Sequence, residues 1–498
     1  MADWMTSEMG PFQNYSRDVG MNILVTGTTG YIGGLLVPRL IDEGYSVTCL
    51  VRDATRLERK WERAIYHIGN VLEYETLPPI MKGIDAAYYL IHSMAEGEKG
   101  FEERDYRAAE NFGKAARAAG VKRIIYLGGL GEKDAKLSSH LASRQKVGDI
   151  LRASGVPVTE FQAGVVIGSG SMSFEMIRYL TERVPVMITP RWVTTRCQPI
   201  SIINVLEYLE RSLSEPRSVG RTFEIGGPEV MIYGDMMRKY AQARQLKRLL
   251  IRVPVLTPRL SSYWVDLVTP IPASYSHPLI EGLRSEVILH DTSAQDIFWL
   301  DLIPFDEAVR QALDISGSTV LAGYWDGTRP DPKQAMSIKI VEGMIIEERC
   351  KVLEAAPGTI FQILEESGGE NGWHYANWIW ELRALVDRWF GGIGMRRGRP
   401  AVEKLIPGST VDFWQVEALK RDRLLRLRSE LKTPGPAWLQ FEMRPQAAGG
   451  TLLIQASLFQ PHGLLGVLYW YALYPIHRIV FSGMLKAITR RANQTPNG

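Results

Sequence analysis

Residues 26 to 33 read TGTTGYIG, and no other eight residues constrain this chain as strongly. Glycines fall at 27, 30 and 33, after the apolar run 22–25 and before LLVPRLI. A short apolar run bounded by glycine reads as a buried strand. Tyr31 to Asp42 has helical length and stops at Gly44, although Pro38 removes one helical hydrogen bond. Gly27 permits a tight turn, Gly30 lets backbone approach a phosphate, and Gly33 lets the helix pack near the strand. The helix start adds free N–H groups and a positive dipole end. The context strengthens this reading. Strands are predicted at 46–51, 86–91, 123–128 and 156–162, with helices at 106–120 and about 141–153. Alternation of this kind implies an α/β, doubly wound parallel sheet of Rossmann type.

At 498 residues the chain is long enough for two or three domains. Its 58 basic and 55 acidic side chains leave a net charge of +3, which gives no reason to expect a nucleic-acid partner. Cys49, Cys197 and Cys350 are far apart and form neither a metal spacing nor a disulfide framework. No metal is therefore expected, and a reducing cytoplasm is the default compartment. Residues 1–20 lack the basic-then-apolar pattern of a signal peptide and read as a flexible tail.

The TGxxGxxG spacing resembles the extended and atypical branches of the short-chain dehydrogenase/reductase superfamily. The resemblance covers roughly residues 21–320 of the expected first domain, 21–325, and implies a dinucleotide held by Gly27, Thr29, Gly30, Tyr31, Ile32 and Gly33. An arginine at the end of the second strand suits a 2′-phosphate, whereas an acidic side chain suits a ribose hydroxyl. Arg52 stands there, with Arg56 and Arg59 following, so NADP is favoured. Asp53 keeps NAD as the alternative. Asn70 and Val71 in GNVLEYETL fall where adenine is contacted, Asn70 replacing the usual aspartate. Ile91 and His92 should run beside ribose. Gly128, and Gln162, Ala163, Gly164 and Val165 in QAGVVIGSGS, should lie by the nicotinamide.

The superfamily uses a tyrosine and a lysine four residues apart on one helix. In SSHLASRQKVGDIL, registered on Ser143, His140 takes the tyrosine place and Arg144 the lysine place. Arginine can bind ribose or phosphate but cannot shuttle a proton; histidine can serve as an acid. This departure resembles the NmrA-like regulators and the nucleotide-binding accessory subunit of respiratory complex I. Segments 196–209 and 221–242 resemble the smaller substrate subdomain.

A polar, proline-bearing linker is expected at 326–336. Beyond it, DRLLRLRSELK, AWLQFEM and GTLLIQASLFQ alternate with period two. This predicts an antiparallel sheet with one buried side, carrying Leu439, Phe441 and Met443 on one strand and Leu452, Ile454, Ala456 and Leu458 on the next. Residues 337–490 resemble the START-like, helix-grip α+β fold, followed by a tail at 491–498. Trp373, Trp378, Trp380 and Trp389 read as core, with a cavity wall as the alternative. The segment 466–488 is very apolar but broken by Pro475, His477 and Arg478. It reads as a terminal helix laid across the sheet, with peripheral membrane contact as the alternative.

Two functions remain open at this level. One is an NADP-dependent oxidoreductase acting on a bulky apolar substrate such as a quinone, isoprenoid or polyketide. The other is a non-catalytic NADPH-binding sensor or scaffold.

Overall fold

Seven short strands build the first sheet: Asn22–Val25 (β1), Ser46–Val51 (β2), Ile65–Ile68 (β3), Ala86–Tyr89 (β4), Arg123–Gly129 (β5), Val158–Ala163 (β6) and Thr222–Ile225 (β7). Their order is β7-β6-β5-β4-β1-β2-β3, and every neighbouring pair is parallel. The computed structural model describes residues 20–53, 61–91, 101–131, 138–189, 191–252, 268–271, 280–283, 285–314, 336–395, 405–446 and 449–494. Parallel strands need crossovers, which the helices Tyr31–Asp42 (α1), Phe101–Ala118 (α2), Ser139–Ala153 (α3) and Ile202–Arg211 (α5) supply. Met172–Arg183 (α4) and Tyr233–Ala243 (α6) belong to a smaller unit beside the sheet.

The strands are buried on both faces. Leu36, Val37 and Leu40 of α1 pack with Val205, Leu206 and Leu209 of α5 on one side. Ala108, Ala109 and Phe112 of α2 pack with Val147 and Leu151 of α3 on the other. This is the Rossmann-type architecture, and strand order reverses between β1 and β4, where such sheets open a crevice. The smaller unit has its own core, including Phe174, Leu180, Met236, Tyr240 and Phe305. Two strands depart from the expected layout. β3 was absent from the sequence pattern because its IYHI is largely exposed. β7 comes from the stretch assigned to the substrate subdomain, yet it pairs with β6 at the edge of the main sheet. Only its Phe223 and Ile225 are buried, so two apolar positions were all that marked it.

A second sheet is antiparallel: Met336–Val341 (β8), Met344–Leu353 (β9), Thr410–Val411 (β10), Trp414–Lys420 (β11), Leu424–Ser429 (β12), Ala437–Pro445 (β13) and Thr451–Phe459 (β14), ordered β8-β9-β14-β13-β12-β11-β10. With Pro357–Glu365 (α7), Asn377–Trp389 (α8) and Gly463–Gln494 (α9) it makes a separate α+β domain. Val480, Phe481, Met484 and Ile488 of α9 pack against Leu439, Phe441, Met443 and Leu453.

One buried side was expected, and the sheet has two. Met443 pairs with Leu453 and Phe441 with Gln455, so Leu452, Ile454, Ala456 and Leu458 point to the opposite face. There Ala456 and Leu458 join Met344, Ile346 and Trp438, while Leu452 and Ile454 join Cys350. Both sets alternate with period two, and only the cross-strand register assigns them to faces. The residues 491–494 read as tail continue α9. Of the expected linker and N-terminal tail, 326–335 and 1–19 lie outside the described residues.

Candidate active site at the ends of β5 and β6

The glycine loop is built as its spacing requires. Gly27 has φ +69°, and a Cβ there would collide with the Leu90 carbonyl. A Cβ on Gly33 would collide with the Gly27 carbonyl, so only glycine lets α1 sit this close to β1. Gly30 caps α1, its N–H donating to the Gly27 carbonyl at 2.9 Å. The first-turn N–H groups of α1 have no carbonyl one turn back to bond. A close-packed glycine turn leading into these donors fits a diphosphate. Thr26 fixes the turn to its neighbour: its hydroxyl donates to the Tyr88 carbonyl at 2.9 Å and accepts from the Leu90 N–H at 3.1 Å.

Next to this loop a cavity of about 300 Å³ opens over the ends of β5 and β6. Of the residues singled out from sequence, Tyr31, Ile32, Gly128, His140, Arg144, Ala163, Gly164 and Val165 all line it. His140 and Arg144, one turn apart on α3, therefore share one wall. Ser138 caps that helix by accepting from the Leu141 N–H at 3.3 Å. His140 is buried. The Arg144 guanidinium donates to the Leu127 carbonyl at 2.6 Å, and its Nε, buried, has no hydrogen-bond partner. Tyr126 donates its hydroxyl to the Arg144 carbonyl at 2.9 Å, anchoring the same turn from β5. Burial holds the Tyr126 hydroxyl well above its usual pKa, so it stays protonated in this role.

The remaining wall is apolar and was not foreseen. Met172, Met176 and Ile177 come from α4, Met237 and Tyr233 from α6, and Leu283 and Val287 from the chain beyond. Methionines at these helical spacings carry no sequence signal that separates a cavity wall from a core. Their common cavity appears once α4 and α6 fold over the sheet.

Other expected residues have structural partners or lie apart. Gln162 donates to Glu160 at 3.0 Å instead of lining the cavity, because Glu160 is buried and also paired with Arg152. Asn70 shapes its own turn, accepting from the Leu72 N–H at 3.1 Å and donating to Glu73 at 2.9 Å. Val71 is buried and Ile91 half-buried in the core under α2. Arg52 is exposed at the end of β2. His92, Arg56 and Arg59 lie outside the described residues.

A second cavity of about 510 Å³ lies on the other side of Tyr31, lined by Thr29, Gly30, Ser169, Gln311 and Glu342 among others. Tyr31 borders both cavities. Its buried hydroxyl has no hydrogen-bond partner, and its pKa is raised far above the usual value by burial and then by Glu342 and Glu175. Glu342 belongs to the β8–β9 turn of the second domain. Its carboxylate accepts from Ser169, and its carbonyl accepts from Arg178. Beside it the Gly343 N–H donates to the Tyr179 hydroxyl at 3.2 Å. At the far end of α4, the Gly463 N–H donates to Glu182 at 2.7 Å. One face of α4 thus lines the apolar cavity, while Arg178, Tyr179 and Glu182 in its C-terminal half hold the second domain.

Residues 27–166 match the family model described as NAD(P)H-binding. This part of the chain is an NAD(P)H-binding domain. Residues 346–484 match a family described as a protein of unknown function, DUF2867. The chain is 23% identical over 245 residues to the photosystem II assembly factor Ycf39 of Trieres chinensis, covering 49% of this chain and 75% of that one. It is 26% identical over 282 residues to the (4-alkanoyl-5-oxo-2,5-dihydrofuran-3-yl)methyl phosphate reductase of Streptomyces griseus, covering 55% and 88%. Among solved structures, the Citrobacter triphenylmethane reductase complexed with NADP(H) is similar at TM-score 0.47 and 17% identity, covering 59% of this chain and 100% of that one. The cofactor that this domain binds is NAD(P)H. The fit lies in the residues themselves: the glycine cradle and the α1 start suit the diphosphate, and Arg52 at the β2 end suits a 2′-phosphate.

Proposed function

We propose that the protein is an NADPH-dependent oxidoreductase that reduces a bulky apolar, conjugated acceptor such as a quinone, isoprenoid or polyketide. The observation that carries this reading is the apolar, methionine-lined cavity that shares a wall with His140 and Arg144. When bound, the cofactor supplies a hydride. The protein does the rest. The α1 start and glycine loop hold the diphosphate, and Arg52 pairs with the 2′-phosphate. Arg144, anchored by Leu127 and Tyr126, keeps a permanent charge and an unused N–H at the cavity wall. That charge stabilises an oxygen that becomes anionic as the acceptor gains a hydride. His140, one turn away, donates the proton that neutralises it. Met172, Met176 and Met237 adapt to substrate shape and keep water out. The α+β domain, read as helix-grip, lies on α4 and helps set the cavity wall. The test is NADPH oxidation by purified protein against a panel of quinones and enones.

The sensor reading is favoured by one separate observation, the double attachment of α4 to the second domain. Under it, cofactor binding at one face of α4 alters how the β8–β9 turn and the α9 start are held at the other, without turnover. A change in protease sensitivity between the domains on NADPH binding, with no acceptor reduced, would select this alternative.

A further inference from the structure

The four tryptophans of 371–392 divide into two pairs. Trp373 and Trp380 are buried and pack at tilted angles against each other and against Phe413, Trp414 and Phe481, at ring distances of 5.8 to 6.4 Å. Trp378 is 66% exposed and Trp389 82%. They are neither core nor cavity wall. Trp378, Leu382, Leu385 and Trp389 are spaced four, three and four, so they form one outward stripe on α8, continued by the 73% exposed Phe390.

α9 repeats the pattern. Leu465, Leu468, Ile476 and Ile479 are all exposed at helical spacing, and Tyr471 lies beside them. Its most apolar 18-residue window has mean hydropathy 1.3, yet only 28% of it is buried. The two helices are tied side by side: Arg383 of α8 donates to the Tyr469 hydroxyl at 3.0 Å, and Trp380 meets Phe481. Apolar surface of this kind, left uncovered on two joined helices, is characteristic of an interaction face.

We propose that the outward rows of α8 and α9 form a surface that docks onto an anionic lipid bilayer, lying in the headgroup boundary. The charges match that occupant. α9 carries Arg478, Lys486, Arg490 and Arg491 and no Asp or Glu. Arg388 is exposed on α8, and Lys432 donates to the Phe390 carbonyl at 3.2 Å, at the end of the stripe. Glu381 is the one acidic side chain on α8 that is exposed beside the row. Basic flanks with indole-bearing apolar rows suit an anionic membrane surface. Self-association through α9 would instead face a basic, acid-free helix with its own copy. Spanning is excluded by the other side of α9: Val480, Phe481, Met484 and Ile488 are committed to the sheet.

The test uses the full chain with vesicles of phosphatidylcholine alone and of phosphatidylcholine with about 30% phosphatidylglycerol. The protein should co-sediment with the anionic vesicles at least tenfold more strongly than with the neutral ones, with a blue-shifted tryptophan emission. Trp389→Glu and Leu465→Glu, both at highly exposed positions, should each weaken this severalfold while near-ultraviolet circular dichroism and melting stay unchanged. Absence of anionic-vesicle binding, or binding untouched by both substitutions, would overturn the proposal. So would a concentration-dependent dimer abolished by the same substitutions in the absence of lipid, because the face would then belong to a second copy.

Discussion

Ser169 donates a 2.5 Å hydrogen bond to the carboxylate of Glu342, a residue 173 positions later in the chain. This contact joins the loop that leads into α4 to the first turn of the second sheet, at the rim of the cavity behind the glycine loop. A bond to a charged acceptor contributes about 1.5–3 kcal/mol when its surroundings are dry. A double-mutant cycle with Ser169→Ala and Glu342→Ala should therefore show non-additivity on the order of ~1–2 kcal/mol in denaturant unfolding. Additive losses would mean that the two side chains stabilise their own domains independently.

The cofactor end makes a sharper demand. Gly33→Ala forces the Cβ into the Gly27 carbonyl, so α1 has to move away from β1. NADPH affinity by calorimetry should fall by at least tenfold while far-ultraviolet circular dichroism keeps its shape. Unchanged affinity would show that the loop does not hold the diphosphate.

Arg52 discriminates the two nicotinamide dinucleotides if it meets the 2′-phosphate. Removing one charge-assisted pair costs roughly 2 kcal/mol, about thirtyfold in affinity. Arg52→Ala should weaken NADPH by that amount and leave NADH within about twofold. Equal losses would place the 2′-phosphate elsewhere.

Acid should loosen the second domain. Burial holds the imidazoles of His374 and His477 at about 4. In the unfolded chain both titrate near ~6.5. Between these values the unfolded state binds more protons, so stability rises with pH. The contribution is complete above about 6.5 and is lost as pH falls toward 4, by up to ~3 kcal/mol for each group. Melting of the wild type between pH 7.5 and 5 should show this decline, and His374→Gln and His477→Gln should each flatten it. A melting temperature that is level across the window would contradict the assignment.

The first domain was legible because its signals are local. A glycine turn, the helix after it and the alternation of short apolar runs all lie within a few residues of one another. His140 and Arg144 come from the resemblance to the superfamily's Tyr/Lys helix, aligned on Ser143, and their four-residue spacing puts them on one helix face. The edge strand β7 was not legible: two buried positions, Phe223 and Ile225, do not distinguish a strand from a loop. The period of β14 separated Leu452 from Leu453 but gave no means of assigning either to a side, because register depends on β13. Trp378 and Trp389 carry the same helical spacing as a core stripe, and only the packing of α8 shows that they face outward. Glu342 reaches the first domain through a hairpin turn whose docking has no sequence signature.

NADPH oxidation by the purified full chain, followed at 340 nm with quinone and enone acceptors, tests the central claim most directly. At least one apolar acceptor should be reduced well above the rate with free NADPH. His140→Phe should lower kcat by 10²-fold or more while NADPH affinity stays within twofold. No turnover with any acceptor, despite tight NADPH binding, would contradict the enzyme reading.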